Sequence, residues 1–511
     1  MNVRLLAVPL LVVACTGQGA APPAGAQTAT RAQGAAEAAA TITAEEMRSV
    51  IGYLASDELR GRDTPSPGLE LAAEYLAREF AAAGLEPIAG GEGFIHRYPL
   101  NIRMVDTAQV ELAVERGGKR ETLAFGSDFA AAPGARAEVS GGAVYRAVSA
   151  LAPDRPDEAL RGRVVVTELA GTPGREWASN LRAAHSAVEN SGAAAIVFVL
   201  DPALEPDGVR QLARGFAQVR GAPAGVPAFY VTRAAAERAF GAAGRTLADA
   251  LGAGNSVTVT ARVPVHQPDI RAPNVVAVLP GSDPVLRDTY IVFSAHMDHV
   301  GVGAPDASGD SIYNGADDDA SGTAALVEVA EAFAALEDRP ARSLIFLAVS
   351  GEEKGLLGSR AFANDPPVPI GSIVANINMD MIGRNSPDSI VAIGLEYSSL
   401  GPLAQEVART HADDLRLTVA PDQWPQERLF FRSDHFNFAA KEIPAIFFFA
   451  GLHEDYHRPS DQVEKIDADK AARVARLVFY LGHRIATNPE PPQWTEQGLA
   501  DVRALTSGRR R

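Results

Sequence analysis

The feature that most constrains this chain is a regular alternation of short apolar runs and longer amphipathic segments after Asn274. The apolar runs have the length of buried strands, and loops separate them from the helical segments. The predicted strands are Val275–Leu279, Tyr290–Ala295, Ser343–Val349, Ile373–Met379, Ser389–Ile393 and Ala445–Phe449, and the predicted helices are Ala320–Ala335, Leu400–Asp413 and Lys470–Ala486. Strands that alternate with helices of this length predict an α/β fold with a mostly parallel sheet sandwiched by helices.

Two amphipathic helices are predicted upstream, and we assign residues 41–105 to the same domain as residues 269–490. Met47, Ile51 and Leu54 recur at helical spacing. Thr43 followed by Glu46 is typical of a capping box at the start of the first helix. The second helix is predicted from Leu69 to Ala83, where Gly84 closes it.

Residues 106–268 differ in character from the segments on either side. Short β-like runs occur at Gly142–Val148, Arg163–Leu169, Ala194–Leu200, Ala228–Val231 and Val257–Val263, with a helical stretch at Trp177–Asn190. This pattern predicts a self-contained α/β insert that ends near three prolines, Pro264, Pro268 and Pro273. The polar tail, residues 491–511, is expected to be poorly ordered.

The N-terminus predicts export from the cytoplasm. Arg4 precedes the apolar run Leu5–Ala14, which is too short for a stable membrane span. The run stops at the only cysteine, Cys15, in a string that resembles a bacterial lipobox; we therefore interpret residues 1–15 as a signal peptide whose lipidated cysteine anchors the protein in the cell envelope. The alternative is a plain secretory signal. Residues 16–40 are rich in Ala, Gly, Gln, Thr and Pro and are interpreted as a flexible linker.

The net charge of −16 argues against two classes of partner. An acidic surface repels nucleic acid and anionic lipid headgroups. We therefore expect no nucleic-acid partner, and contact with a membrane only through the lipid anchor. The oligomeric state is not predicted.

Acids and histidines follow nearly every predicted strand. In an open α/β sheet, ligands bind beyond the carboxyl ends of the strands. The side chains found there are His296 and Asp298, then Asp317, Asp318 and Asp319, then Glu352 and Glu353, then Asp380, and finally His453, Tyr456 and His457. A single acid at such a place is usually a helix cap or part of a turn. Five such places in one sheet would repel one another without a cation. Imidazole and carboxylate donors without cysteine predict a pair of divalent ions, with zinc suited best and Co²⁺ or Mn²⁺ as possible substitutes.

These strings resemble those of peptidase family M28 in order and spacing. They are His296-x-Asp298, Gly315-Ala316-Asp317-Asp318-Asp319-Ala320-Ser321-Gly322, Glu352-Glu353, Asn378-Met379-Asp380-Met381 and Tyr456-His457-Arg458-Pro459-Ser460-Asp461. The resemblance covers residues of about 41–105 and 269–490. It implies the zinc-peptidase fold, and the family includes bacterial aminopeptidases and glutamate carboxypeptidase II.

The resemblance also implies roles for individual residues. It places Asp317 between two zinc ions, with Glu353 and His457 completing one site. His296 and Asp380 complete the other. It makes Glu352 the general base, gives Asp298 the task of orienting His296, and implies a cis peptide bond between Asp317 and Asp318.

A donor for the developing oxyanion is the least defined part of the predicted site. Some family members use a Tyr three residues before a Ser-Asp-His string. Here that string is Ser433-Asp434-His435 and the position holds Phe430. Tyr456, beside His457, is predicted to be the donor instead, with simple packing of its ring as the alternative.

Two further patterns need interpretation. The insert segment from Arg182 to Val199 resembles the core of a protease-associated (PA) domain, with a generic α/β insert as the alternative. His453-Glu454-Asp455-Tyr456-His457 fits the H-E-x-x-H signature of one-zinc proteases, which requires a helix. Gly451 and Pro459 flank the segment and disfavour a helix, so we interpret the match as chance.

Taken together, the residues and the resemblance predict an exported metallopeptidase with two zinc ions per chain that removes N-terminal residues from peptides. The alternative within the family is a carboxypeptidase or dipeptidase. A non-catalytic receptor-like protein or an acyl-transfer cyclase is disfavoured, because the complete set of predicted ligands is present.

Overall fold

The structure of the chain is a computed structural model. It describes residues 33–508, apart from 89, 101, 172–174, 205–208, 210–216, 220–224, 253–255, 267–268, 304 and 307. Cys15, the predicted signal peptide and the linker up to residue 32 lie outside the described residues.

The strands of the described chain are numbered in chain order. They are β1 Glu86–Pro87, β2 Ile95–Pro99, β3 Ile102–Val105, β4 Glu111–Arg116, β5 Lys119–Thr122, β6 Phe129–Ala132, β7 Glu138–Tyr145, β8 Val164–Leu169, β9 Ala195–Leu200, β10 Ala217–Val219, β11 Ala228–Val231, β12 Val257–Arg262, β13 Val265–His266, β14 Arg271–Leu279, β15 Tyr290–His296, β16 Ser343–Val349, β17 Ile373–Met379, β18 Ser389–Ile393, β19 Thr418–Ala420 and β20 Ala445–Phe449.

The helices are numbered in the same way. They are α1 Ala44–Leu54, α2 Pro67–Ala82, α3 Arg175–Asn190, α4 Arg233–Phe240, α5 Leu247–Ala250, α6 Gly322–Ala334, α7 Leu357–Asn364, α8 Leu400–Thr410, α9 Ala412–Leu415, α10 His435–Ala439, α11 Ala468–Thr487 and α12 Glu496–Gly508. Every strand and helix predicted after Asn274 is present, although some ends differ by a few residues.

The large sheet has the strand order β1-β14-β16-β15-β17-β20-β18-β19, and β2 also pairs with β14. Its centre is parallel, since β16, β15, β17 and β20 run in the same direction. The flanking strands β14 and β18 are antiparallel to their central neighbours. The carboxyl ends of the four central strands therefore meet at one edge of the sheet, as the mostly parallel prediction required.

Both faces of this sheet are covered by helices, as a mostly parallel sheet requires. In β16, Leu344, Phe346 and Ala348 face one apolar cluster, and Ile345 and Leu347 face another. This alternation follows from the two-residue period of a strand. Helices α1, α2, α6, α8 and α11 pack on the first face, and α7 and α10 pack on the second.

The starts of α1 and α2 show why these segments are helical. Thr43 accepts a hydrogen bond from the backbone N–H of Glu46 at 3.2 Å, and its own hydroxyl donates to the Glu46 carboxylate at 2.8 Å. This reciprocal pair is the predicted capping box. Ser66 caps α2 by accepting from the N–H of Leu69 at 3.1 Å, with Pro67 in the first turn.

Residues 102–266 build two further sheets. The larger has the order β5-β4-β12-β7-β8-β9-β11-β6, and β7, β8, β9 and β11 within it are parallel. The smaller, β10-β3-β13, joins strands from near the beginning and the end of the segment. The larger sheet has its own apolar clusters on its two faces. The resemblance of this insert to a PA domain stays a prediction.

Two expectations of disorder were wrong. Residues 33–39, inside the predicted linker, are helical, and Ala35, Ala38 and Ala39 are buried in the main core. The predicted tail contains α12, whose Val502 is buried beside Trp494. In both cases a few apolar side chains at helical spacing pack against the rest of the protein and stabilise the helix. The amino-acid composition of these segments does not show that such packing occurs. Within the described range, no helix has the length and apolarity needed to cross a membrane.

Candidate metal centre

The acids and histidines predicted at the strand ends meet at the carboxyl edge of the large sheet. His296 is the last residue of β15, and Glu352 and Glu353 follow β16 after a turn at Gly351. Asp380 directly follows β17, and His457 lies in the loop after β20. Neighbouring parallel strands thus deliver one donor each to the same crevice.

Five of these side chains, together with His299, form two donor groups that share one carboxylate. One group consists of His299, Asp318, Glu353 and His457, and the other of His296, Asp318 and Asp380. In each group, one donor atom from every residue lies within 4.8 Å of the others. Asp318 is therefore the residue placed between two neighbouring metal positions.

The distances within the groups are short. The Nε2 atom of His296 lies 3.2 Å from an oxygen of Asp318 and 3.6 Å from an oxygen of Asp380. The Nε2 atom of His457 lies 3.1 Å from the second oxygen of Asp318 and 3.0 Å from Glu353. The His457 side chain is 35% exposed, so the crevice opens to solvent on that side.

The structure corrects the predicted position of the shared acid and of the cis peptide bond. Asp317 belongs to neither donor group, and the cis bond joins Asp318 to Asp319. One oxygen of Asp317 accepts hydrogen bonds from the backbone N–H of Gly383 at 2.7 Å and from the Ser321 hydroxyl at 3.0 Å. Asp317 is therefore held in the protein interior one residue before the site.

The neighbouring residues explain why the middle acid of the three faces the crevice. Asp461 accepts hydrogen bonds from the backbone N–H groups of both Asp317 and Asp318, which fixes the turn. Asp319 accepts from the N–H of Gly322 at 2.9 Å and of Met381 at 3.1 Å. The third acid and one oxygen of the first are thus engaged by neighbouring groups, and of the three acids only Asp318 belongs to the donor groups.

Asp298 supports the site from behind. The Nδ1 atom of His296 lies 3.1 Å from the backbone oxygen of Asp298 and 3.7 Å from its carboxylate, so the opposite nitrogen faces the crevice. The Asp298 carboxylate accepts from the Thr64 hydroxyl at 2.8 Å and from the backbone N–H of Glu352 at 3.3 Å. A single buried acid thereby links the turn after β15 to the turn after β16.

Asp380 is held by a chain of buried polar groups. Its carboxylate accepts from the Ser433 hydroxyl at 2.7 Å, and Ser433 in turn accepts from the Asn378 amide at 2.9 Å. Asn378 accepts from the Ser294 hydroxyl at 2.6 Å. Every link is buried. The chain fixes the direction in which Asp380 presents its free oxygen.

A buried arginine lies beneath the crevice. Arg62 is fully buried and donates to the backbone carbonyls of Leu54, Met297 (2.8 Å), Asn314 (2.7 Å) and Gly315 (3.1 Å). Burial lowers the pKa of its guanidinium to about 10, against the opposing effect of Asp298 and other nearby acids. It remains a cation at neutral pH and joins both ends of the segment between β15 and Asp317 to α1.

The charges within the crevice favour cations. Burial lowers the pKa of the His296 imidazole, but Asp380, Asp298 and Asp318 more than compensate and hold it well above its usual value. Burial raises the pKa of the Glu352 carboxyl well above its usual value; His296 opposes this rise, and Glu353 adds to it. These shifts describe a site that takes up positive charge in the form of protons when no other cation is present.

Two aromatic residues discussed for the oxyanion have different surroundings. Phe430 is buried and packs edge-on against Tyr397 at 4.7 Å and against His435 at 4.9 Å. The ring of Tyr456 stacks on that of His457, with centroids 3.9 Å apart. Burial, Asp318 and Glu353 raise the pKa of the Tyr456 hydroxyl, so it stays protonated and able to donate.

The segment from His453 to His457 is a series of turns rather than a helix. His453 belongs to neither donor group, and its Nε2 atom lies 3.3 Å from Asp317. The H-E-x-x-H arrangement is therefore absent from this segment. Among the two histidines, only His457 belongs to a donor group.

Most of the predicted site residues come together, and one donor was missed. The structure brings His296, Glu353, Asp380 and His457 into the donor groups. Glu352, Asp298 and Tyr456 lie directly beside them. His299 was not predicted; the signal was a second histidine in the string His296-Met297-Asp298-His299, but a histidine after a strand end is equally typical of a turn.

The residues present fit a pair of divalent cations. Several donor atoms make no hydrogen bond within the described part of the chain although they are buried, among them atoms of Asp318, Glu353 and His457. Buried polar atoms without a partner are rare unless an ion or water completes them. Imidazole and carboxylate donors without sulfur suit zinc.

Comparison with known proteins agrees with this assignment. Residues 274–482 match Peptidase family M28. An aminopeptidase from Aneurinibacillus sp. strain AM-1 has a TM-score of 0.56 and 21% identity, over 89% of this chain and 96% of that chain. BSAP, a zinc aminopeptidase from Bacillus subtilis, has a TM-score of 0.58 and 16% identity, over 88% and 96%. At these identities the likeness shows the fold.

Curated relatives match over shorter stretches. A probable zinc metalloprotease of Pyrenophora teres f. teres is 38% identical over 115 residues, 22% of this chain and 23% of the relative. A probable leucine aminopeptidase of Arthroderma benhamiae is 25% identical over 234 residues, 44% of this chain and 61% of the relative. The matched part of this chain thus spans less than two thirds of the length of either relative. Residues 274–482 thus match a family M28 peptidase segment, and the shared fold and the ordered acids and histidines agree with that match.

Proposed function

We propose that this protein is an exported two-zinc aminopeptidase, which releases the N-terminal residue of a peptide. The observation that carries the proposal is the pair of donor groups sharing Asp318 at the sheet edge, with Glu352 next to the donor Glu353. A crevice with this donor set and an adjacent unligated carboxyl is suited to hydrolysis by an activated water.

His296 and Asp380 would hold one zinc ion, Glu353 and His457 the other, and Asp318 both. When bound, such a pair supplies Lewis acidity toward a carbonyl and makes a water molecule more acidic. Asp298 and Ser433 keep His296 and Asp380 in the orientation that binding requires.

Glu352 acts as the general base. Its carboxyl takes the proton of the attacking water and returns it to the amine that leaves when the peptide bond breaks. Burial raises its pKa well above the usual value, with Glu353 adding to the rise and His296 opposing it. A raised pKa makes the carboxylate a better proton acceptor near neutral pH. Its backbone N–H donates to Asp298, which fixes the turn that carries it.

Tyr456 donates a hydrogen bond to the oxyanion that develops on the scissile carbonyl. Its ring is held against His457, and its hydroxyl remains protonated because burial and the nearby acids raise its pKa. A donor fixed in place before the reaction stabilises the transition state more than it stabilises the substrate. Phe430, the alternative position, has no hydroxyl to donate.

The choice of the N-terminus as the cleaved end is supported by the names of the similar solved structures, which are aminopeptidases. A panel of aminoacyl-anilides tests it, with N-acetylated anilides as the matched controls. We expect release of the anilide only from substrates with a free amine. If peptides with a free C-terminal carboxylate lose their last residue instead, the protein is the carboxypeptidase or dipeptidase of the alternative prediction.

Export is proposed from the apolar run before Cys15, with the cysteine lipidated. Expression of the full chain and of Cys15→Ser in a bacterial host, followed by fractionation, tests this. We expect the parent protein in the membrane fraction and the variant in the periplasm or medium. Recovery of both proteins in the cytoplasm would contradict export, and equal release of both would favour a plain secretory signal.

A further inference from the structure

His299 occupies a fixed position in the floor of the crevice. It is fully buried, and its backbone N–H donates to the carbonyl of Arg62 at 3.3 Å. Gly315, with a φ of 60°, lies against its ring, and a Cβ atom at Gly315 would come within 2.5 Å of the His299 Cγ. Only glycine leaves room for the imidazole here, so the loop before Asp317 is built around this side chain.

The imidazole faces the four-residue donor group. Its Nδ1 atom lies 2.9 Å from one oxygen of Glu353 and 3.7 Å from one oxygen of Asp318. The other oxygen of Glu353 faces His457. The two imidazoles of the group therefore lie on either side of the Glu353 carboxylate, with ring centroids 5.5 Å apart.

The directions of these atoms distinguish a ligand from a hydrogen-bonding partner. Nδ1 of His299, the facing oxygens of Glu353 and Asp318, and Nε2 of His457 are all buried, and none of them makes a directional hydrogen bond within the described part of the chain. A distance of 2.9 Å without hydrogen-bond alignment means that the atoms are not aimed at one another. One donor atom from each of the four residues lies within 4.8 Å of the others, as the donors of one metal ion do.

We infer that His299 is a fourth protein ligand of the metal position formed by Asp318, Glu353 and His457. The inference rests on the metal centre of the proposed function. It makes the two positions unequal, because one has four protein donors and the other has three, His296, Asp318 and Asp380. Four donors complete the coordination that zinc prefers, whereas three leave a place open for water or substrate. The three-donor position is then the more exchangeable one.

The direct test counts the coordinated imidazoles. Full-length protein is freed of metal and loaded with two equivalents of Co²⁺, which shifts the proton resonances of each bound imidazole far outside the normal NMR range. We expect shifted signals from three imidazoles in the parent protein, and the loss of one set in His299→Gln with the others retained. His411→Gln is the matched control, since that ring stacks on Tyr480 away from the site.

Two outcomes overturn the inference. One is a parent spectrum with only two shifted imidazoles, which needs no variant and holds even if His299→Gln does not fold. The other is an unchanged set of shifted signals in His299→Gln, which would make His299 a positioning residue for Glu353. Neither outcome depends on peptide hydrolysis, so a failure of the proposed substrate class is separable from a failure of this assignment.

Metal affinity gives a second readout. Titration of metal-free protein with Co²⁺ is expected to show one tight and one weaker equivalent. Loss of a ligand should weaken the tight equivalent in His299→Gln by more than the roughly 10- to 100-fold that outer hydrogen-bonding partners contribute. The weaker equivalent should change little. Equal affinities for both equivalents in the parent protein, unchanged in the variant, would contradict the inequality.

Discussion

The chain contains two sheets with parallel strands, and the side chains at their carboxyl edges differ in one respect. In the insert, Glu168 accepts from Tyr145 at 2.9 Å and from Arg233 at 2.8 Å. Asp201, directly after β9, accepts from two backbone N–H groups at 3.0 Å. The two acids at that edge, Glu168 and Asp201, thus have partners within the protein.

At the carboxyl edge of the large sheet, atoms of His299, Asp318, Glu353 and His457 are buried without hydrogen bonds in the described structure. Both edges follow from the same α/β architecture, so architecture alone does not create a site. The difference lies in whether the polar atoms satisfy one another or remain available for a ligand.

Replacing the shared acid should have the largest effect on the metal centre. Asp318→Asn removes one donor from both groups, so we expect loss of tight binding at both positions and of activity. Asp317→Asn, the matched control one residue earlier, should retain both ions with at most about a 10- to 100-fold loss of affinity, because Asp317 lies outside both donor groups. Metal content after dialysis measures both. Retention of two ions by Asp318→Asn, with loss in Asp317→Asn, would restore the original prediction.

Removing the Tyr456 hydroxyl should slow the chemical step. Tyr456→Phe keeps the ring that stacks on His457 and deletes only the donor. We expect kcat to fall by roughly 10²-fold, in the range found for a single oxyanion donor, with KM nearly unchanged. Steady-state kinetics on an aminoacyl-anilide decide the point. An unchanged kcat would mean that Tyr456 only packs.

A carboxyl away from the crevice should control the pH dependence of stability. Burial, with Glu331, Glu46 and Glu79 nearby, raises the pKa of Glu328 in α6 to about 8. The unfolded chain ionises this group near its ordinary value of about 4.5. Its protonated form therefore favours the fold fully below about pH 4.5, and this contribution is lost as pH rises to about 8.

Glu328→Gln removes the ionisable carboxyl, so the variant does not lose stability as this group ionises at high pH. We expect the variant to have a higher Tm than the parent above pH 8, by about 2–4 °C for each kcal/mol gained, and the difference to vanish near pH 4.5. A pKa rise of this size is worth at most about 5 kcal/mol. Glu45→Gln, on an exposed position of α1, is the control. A Tm difference that does not change with pH would refute the explanation.

The smallest effect is expected at the edge of the insert. Glu168→Gln breaks the pair with Arg233, in which both side chains are about one third exposed. Such a pair contributes about 0–1 kcal/mol, so we expect a slightly lower Tm and activity within about twofold of the parent. A large loss of activity would show that this edge also serves the reaction and would remove the contrast between the two sheets.

The sequence predicted the large sheet closely, since β16, β17, β18 and β20 begin and end where the apolar runs do. Because these strands are buried on both faces, they consist almost entirely of apolar residues and are easily recognised as continuous apolar runs in the sequence. The antiparallel pairing of β14 and β18 was not predicted, because direction depends on connections through the insert and the loops. The helix α12 was also missed, because its apolar residue Val502 is buried only by packing against parts of the chain that are distant in sequence.

The sequence motifs that form the site were predicted correctly, but the particular side chains within them that face the crevice were not always predicted. Three consecutive acids are chemically equal in sequence, and only the backbone contacts of Asp461, Gly383 and Gly322 decide that Asp318 faces the crevice. His299 follows a strand end like many turn residues. The position of the His299 ring is set by Gly315, which has a positive φ, and by the Arg62 carbonyl. Both residues are distant from His299 in sequence, so the local pattern does not reveal their effect.

The measurement that tests the central claim most directly compares the parent protein with Glu352→Gln for metal content and aminoacyl-anilide hydrolysis. The account predicts about two zinc ions in each protein, and a loss of kcat in the variant of roughly 10²- to 10⁴-fold, as expected for removal of a general base. A variant that keeps both ions and hydrolyses the substrate at the parent's rate would contradict the assignment of Glu352 and, with it, the proposed mechanism.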